Sequence, residues 1–98
     1  MIYPIDFRPE AEEDLREGHD WYQARAPKLG EDFLDCVDQA LDRISRYPSS
    51  CPVVYRDVRR QLLDRFPHSI LYVVEPDRVV VLAVYHGRRD PAGWKDRR

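Results

Sequence analysis

Two cysteines, four glycines, one methionine and two lysines are all that the 98 residues hold of these types. Cys36 and Cys51 form no Cys-x-x-Cys pair and are too few for a disulfide framework or a four-cysteine zinc site, so a reducing, cytoplasmic setting is expected. Cys36 falls near the apolar stripe of an expected helix and reads as a small buried hydrophobe rather than a reactive thiol. The glycines compose neither Gly-x-Gly-x-x-Gly nor Gly-x-x-x-x-Gly-Lys, which leaves a nucleotide cofactor without a phosphate cradle. His19, His68 and His86 lack the i, i+4 spacing of a helical zinc pair, so no metal is expected. Ser45, Ser49, Ser50 and Ser69 sit in no Gly-x-Ser-x-Gly elbow. The longest apolar run, Val79 to Tyr85, is seven residues, far short of the roughly 20 that cross a bilayer. No charged segment followed by an apolar one opens the chain, so neither membrane insertion nor Sec export is expected.

What is present suits one small folded domain over residues 1–98. Hydrophobic residues make up 43% and charged residues 35%, ordinary globular usage that can build a core. A chain of this length buries only about two thirds of its unfolded surface. The net charge of −2 hides a division: residues 1–50 carry twelve acidic against six basic side chains, residues 51–98 six against ten. The second half can therefore face an anionic partner and the first cannot. Fourteen of the sixteen basic residues are arginine, the side chain suited to forked contacts with phosphate or carboxylate, although codon usage in a GC-rich genome accounts for them equally well.

Prolines punctuate the chain. Met1 to Phe7 alternates loosely and reads as a short strand, with Pro4 pointing to an edge position. Pro9 opens a helix whose first turn is rich in carboxylates, Glu10, Glu12, Glu13 and Asp14, matching the positive end of its dipole. Ala11, Leu15, Gly18 and Tyr22, with Trp21 beside them, form its packed face; the acidic face is expected to be solvated. Pro27 ends this helix, and a turn at Lys28-Leu29-Gly30 starts a second one carrying Phe33, Val37, Ala40, Leu41 and Ile44 on one side, closed by Pro48. So short a link requires an antiparallel helical hairpin. Val58 to Phe66, His68 to Glu75 and Arg78 to His86 are strand-like, with Pro76-Asp77 turning between the last two. Asp90 to Arg98 leaves room for a turn or two of helix anchored by Trp94. The order βααβββ predicts an α+β domain with the hairpin on one face of a small antiparallel sheet and a short C-terminal helix.

One segment stands out for chemistry: His86-Gly87-Arg88-Arg89-Asp90-Pro91-Ala92-Gly93-Trp94. A titrating histidine beside two arginines at a strand end can hold phosphate oxygens or move a proton on RNA. The same arginines can equally pair with the acidic helices, while Asp90-Pro91 caps a turn and Trp94 closes the core. Arg59, Arg60 and Arg65 at the start of the sheet either extend that basic surface or form a solvated strand face.

The run Arg65-Phe66-Pro67-His68-Ser69-Ile70-Leu71-Tyr72-Val73-Val74, the Pro-Asp turn, Val79 to Tyr85 and His86-Gly87-Arg88-Arg89-Asp90-Pro91 through Trp94 resemble the RelE/ParE superfamily of bacterial toxins. Ala11-Glu12-Glu13-Asp14-Leu15, Trp21-Tyr22 and Gly30 to Phe33 resemble its helical hairpin, so the likeness covers nearly the whole chain. It implies the toxin half of a type II toxin–antitoxin module of the plasmid-stabilisation kind, held in a hetero-oligomer by a small cognate antitoxin. Within this superfamily ParE-like members poison DNA gyrase by binding, and RelE-like members cut mRNA on the ribosome without metal or cofactor.

The position where RelE-type nucleases carry an arginine in the middle strand is Ser69 here. Their lysine cluster is absent, and Trp94 stands in the tail where they place a tyrosine or histidine. The resemblance therefore leans to the ParE side and away from enzyme action. It implies Arg59, Arg60, Arg65, Arg88, Arg89 and Trp94 as gyrase contacts. The nuclease alternative implies His86 for proton transfer, with Arg65 and Arg89 on the scissile phosphate. A third possibility is a non-toxic antitoxin-binding module. In each case an acidic amphipathic antitoxin segment is expected to cover an exposed apolar sheet face.

Overall fold

The computed structural model describes residues 2–98; Met1, the first residue of the expected opening strand, lies outside them. The elements are β1 (Ile5–Phe7), α1 (Pro9–Gln23), α2 (Leu29–Arg46), β2 (Val53–Tyr55), β3 (Val58–Leu62), β4 (His68–Val74), β5 (Val79–His86) and α3 (Ala92–Lys95). The five strands run in the order β1-β5-β4-β3-β2. The α+β class and the helical hairpin are as the sequence predicts, and β1 is an edge strand as Pro4 indicates. Among the described residues no helix is long and apolar enough to cross a membrane.

Three features correct the expected topology. The sheet is not wholly antiparallel, because β1 pairs with β5 in parallel, Ile5 opposite Val79 and Phe7 opposite Val81. A three-residue strand, β2, precedes the expected ones and pairs with β3 through a turn in which Arg56 takes a left-handed φ of 52°. Its brevity hid it, since three residues carry no readable period. The remaining strands are shorter than the β-rich runs, and Asp64 to Pro67 form a connection with Arg65 at φ 68°.

The helices meet where the sequence allows close approach. α1 has Pro9 in its first turn with Glu10 and Glu12, and it ends at Gln23, ahead of Pro27. Gln23 then turns its side chain onto the next helix, its Oε1 accepting from the Gly30 N–H at 3.0 Å. At Gly18 a Cβ would lie 2.8 Å from the ring of the fully buried Phe33, so the absence of a side chain lets α2 seat against α1. The hairpin covers one sheet face with Ala11, Tyr22, Phe33, Val37, Ala40 and Ile44 over Ile70, Tyr72, Val79, Val81 and Val84. Cys36 of α2 is buried as well, and burial pushes its thiol pKa up, consistent with an inert cysteine.

The other sheet face is not bare, contrary to expectation. Val58, Leu71, Val73, Leu82, Ala83 and Tyr85 pack with Trp94 of the C-terminal segment. That segment is fastened at two sides: Arg98 makes a forked ion pair with Asp57 in the β2–β3 turn, and Arg97 reaches Asp14 of α1. Gly93 leaves the room into which the Tyr85 hydroxyl extends to donate to the Asp90 carbonyl at 2.8 Å.

Asp14 departs furthest from expectation. Assigned to a solvated acidic face, it is 6% exposed, whereas Leu15 is only partly buried and Trp21 is 53% exposed. Its Oδ2 accepts from Arg97 Nη1 at 2.6 Å and from the Val84 N–H at 3.2 Å, while Arg97 Nη1 also donates to the Leu82 carbonyl at 3.1 Å. Removing one member of such a pair leaves a buried charge and a strand N–H unsatisfied. Asp14→Ala is therefore expected to lose about 3 kcal/mol of folding free energy, read by urea titration; a loss below about 1 kcal/mol, the range of an exposed pair, would refute this role.

Candidate functional site

The hairpin β4–β5 contains a bulge. Val74 faces Val79 and Tyr72 faces Val81, but Leu71 faces Ala83, so Leu82 is the extra residue. Beyond it the register is shifted by one, and His68 stands directly opposite His86. Their rings lie 5.1 Å apart at 76°.

A cleft of about 310 Å³ opens at this end of the sheet, between α1 and the outer edge of β5. Asp14, Glu17, Gly18, Trp21 and Tyr22 line it from the helix; Val84, His86, His68 and Arg89 line it from the sheet. Trp21 lies edge-on to Tyr22 at 5.0 Å, and Arg25 stacks over the indole 3.2 Å from its centroid. Tyr22 and Phe33 pack edgewise on His68 at 5.8 and 5.0 Å.

His68 is 8% exposed, and its Nδ1 has no hydrogen-bond partner. Burial, reinforced by the neighbouring His86 and Arg89, lowers its pKa from 6.5 to about 4, so it is neutral at pH 7. His86 Nδ1 accepts from the Arg88 N–H at 3.0 Å, which makes Nε2 the protonated nitrogen of its neutral ring. Two imidazoles and a guanidinium sharing a cleft can exchange a proton and hold an anion; among the described residues no cluster of three or more metal-binding side chains occurs.

The arginines singled out by sequence divide by role. Arg88 is exposed at the end of β5, and Arg89, 51% exposed, stacks over Tyr85 at 4.3 Å with Asp14 at 3.9 Å. Arg60 is exposed on β3, opposite Leu71 of β4. Arg59 is committed internally, donating to the Cys51 and Ser49 carbonyls at 2.6 and 3.1 Å. Arg65 lies beside Asp32 of α2 at 3.5 Å and does not line the cleft that holds His86 and Arg89. Trp94, 8% exposed, is packed against the sheet and is not presented to a partner. Sequence reasoning missed the facing histidine, the helix wall of the cleft and Arg97, which pairs with Asp14 of the acidic helix at 2.6 Å, closer than the anticipated Arg89 at 3.9 Å.

Residues 5–91 match the family described as ParE toxin of type II toxin-antitoxin system, parDE. The chain belongs to this family. The fold of the ParE-family chain is shared by two solved structures. The chromosomal ParDE toxin–antitoxin system from P. aeruginosa aligns with a TM-score of 0.63 at 19% identity, covering 87% of this chain and 96% of that one. The toxin–antitoxin complex RelBE2 from Mycobacterium tuberculosis aligns at 0.61 and 22% identity, covering 88% and 99%. No curated protein matches the sequence.

In this ParE-family toxin the position expected to distinguish nuclease relatives, Ser69, is buried opposite Tyr85 and Leu62. A buried serine there places no guanidinium on the middle strand. The neutral His68 has a testable thermodynamic consequence. Its folded pKa lies below its unfolded one, so the stability it supports is complete above pH 6.5 and is lost as pH falls toward 4. The span of 6.5 to about 4 corresponds to a loss of about 3 kcal/mol. Urea unfolding at stepped pH should show this fall, and His68→Phe should flatten it. An unchanged slope in that variant would assign the titration to other groups.

Proposed function

We infer that residues 1–98 act as one toxin domain that arrests growth by binding and poisoning DNA gyrase. We further infer that it works in the cytoplasm, in a plasmid-stabilisation module, and that a cognate antitoxin silences it in a hetero-oligomer. Family membership supports a toxin held by an antitoxin partner, and both solved relatives are described as toxin–antitoxin assemblies. The observation that carries a binding mode of action is Arg88: it is exposed, and among the described residues no acidic group lies within ion-pair distance of it. Arg89 beside it is half-exposed, and Arg60 adds a further exposed guanidinium on β3. Guanidiniums without internal partners keep their forked donors for carboxylate or phosphate on a target.

Because the tail already covers the second sheet face, the large apolar groups left exposed for an antitoxin are Ile2, Trp21 on α1, Tyr47 after α2, and Val53, Val54 and Leu62 at the β2–β3 edge. This replaces the bare sheet face that the sequence led us to expect.

The nuclease reading retains one observation: His86, His68 and Arg89 share a cleft. It requires mRNA cleavage in a translating extract that His86→Ala abolishes. The two readings separate when the protein is induced alone in a bacterial host and DNA and protein synthesis are pulse-labelled. DNA synthesis is expected to stop first. The Arg88→Ala, Arg89→Ala double variant should fold as the parent does and no longer arrest growth. Earlier loss of translation would overturn the gyrase reading, and full toxicity of the double variant would overturn the arginine assignment.

A further inference from the structure

The cleft between α1 and β5 combines features that gyrase binding does not use. The first is the strand edge. His68 accepts from the Leu63 N–H through its carbonyl, on the β3 side, and Gly87 donates to Pro67 at 2.8 Å. In an antiparallel pair, opposite residues either exchange both bonds or neither. His68–His86 and Ile70–Val84 are therefore unbonded pairs, and the backbone groups of Val84 and His86 point away from β4. Asp14 takes the Val84 N–H. Among the described residues no hydrogen bond engages the Val84 carbonyl or the His86 N–H, an acceptor and a donor two residues apart on the edge of β5 beside the cleft.

The second feature is the aromatic surround. An indole that is 53% exposed, with Arg25 over one face, lines the cleft from α1, and the His86 imidazole lines it from β5. The third is a buried histidine with no structural return for its polarity: Nδ1 of His68 is enclosed and unpartnered, where a phenylalanine would pack among Tyr22, Phe33 and Phe66 at no such cost. Because Nδ1 is enclosed, contact of this ring with the contents of the cleft is through Nε2. The charges lining the cleft are mixed: Asp14 is paired with Arg97 and lies 3.9 Å from Arg89, and Glu17 adds a second carboxylate. At about 310 Å³ the space is at the lower end of small-ligand sites.

We propose that this cleft binds an adenine-type nucleobase. The ring stacks between Trp21 and His86, and its amino group donates to the Val84 carbonyl. A ring nitrogen accepts the His86 N–H, and a phosphate is held at the rim by Arg88 and Arg89. Aromatic stacking with hydrogen bonds to the polar edge is the general way proteins hold an unpaired base. The inference does not require the gyrase reading, with which it shares only Arg88 and Arg89. The base can come from a free adenine nucleotide or from a single strand of nucleic acid.

The test is titration calorimetry of the purified chain with AMP, inosine monophosphate, ribose 5-phosphate and a short oligoadenylate. AMP is expected to bind, and replacing its amino group by the carbonyl of inosine monophosphate should weaken binding by about tenfold or more, since the Val84 carbonyl then meets an acceptor. Trp21→Ala, an exposed position whose change should leave thermal unfolding unaltered, should cost about tenfold in affinity through lost stacking. Binding of the oligonucleotide alone would identify the strand as the source and keep the base site. Equal binding of ribose 5-phosphate and AMP would overturn the proposal in favour of a phosphate site on the arginines. No binding of AMP or the oligonucleotide, or full affinity in Trp21→Ala, would also overturn it. Gyrase inhibition is a separate assay, so the two readings fail independently.

Discussion

The structure depends on how the outer edge of β5 is satisfied once its neighbour ends. β1 supplies only three residues, and the last backbone bond on that side runs from the Arg8 N–H to the Val81 carbonyl. Beyond it β5 continues to His86 with β4 on one side and no strand on the other. Buried strand edges leave costly unpaired groups. Here an ion pair takes the place of a strand: Arg97 donates to the Leu82 carbonyl, and Asp14 accepts from the Val84 N–H. A pair this enclosed brings little stability by itself relative to apolar packing. Its contribution is to join α1, β5 and the C-terminal segment at one point.

That point coincides with the bulge. Leu82, whose carbonyl Arg97 holds, is the extra residue of β5, and the one-residue offset exchanges which side chains face the helices. Continuing the register of Val74 with Val79 and Tyr72 with Val81 without a bulge would set His68 against Tyr85. With it, His86 comes to the helix side, where it meets His68 and closes the cleft. Tyr85 turns to the opposite face, where it supports Trp94 and receives the guanidinium of Arg89 over its ring. The electrostatics of the candidate site thus follow from a single inserted residue.

The arginine-rich second half resolves into two populations. Arg59, Arg97 and Arg98 are committed to backbone carbonyls or to acidic partners and fasten the tail and the β2–β3 hairpin to the sheet. Arg60 and Arg88 remain solvated. Internal pairing therefore holds for some of the arginines and leaves others free in solvent, and burial decides which. Guanidiniums that reach an enclosed carboxylate or carbonyl lose their availability, and those at a hairpin end keep it.

The sequence by itself determined the class of fold, the helical hairpin, the three longer strands, the Pro76-Asp77 turn and the tail anchored by Trp94. Each is set by local period, proline position or turn chemistry, which act over a few residues. The family likeness was legible for the same reason, in motifs that follow one another along the chain. Only the tertiary structure decided the parallel pairing of β1, the burial of Asp14, its partnership with Arg97 across 83 positions and the meeting of His68 with His86. Hydropathy places an aspartate among glutamates on a wet face, and no local signal marks the one carboxylate that a strand edge will need. A bulge leaves no trace in composition, yet it fixes which residues confront each other far from the turn, and with them the shape of the site.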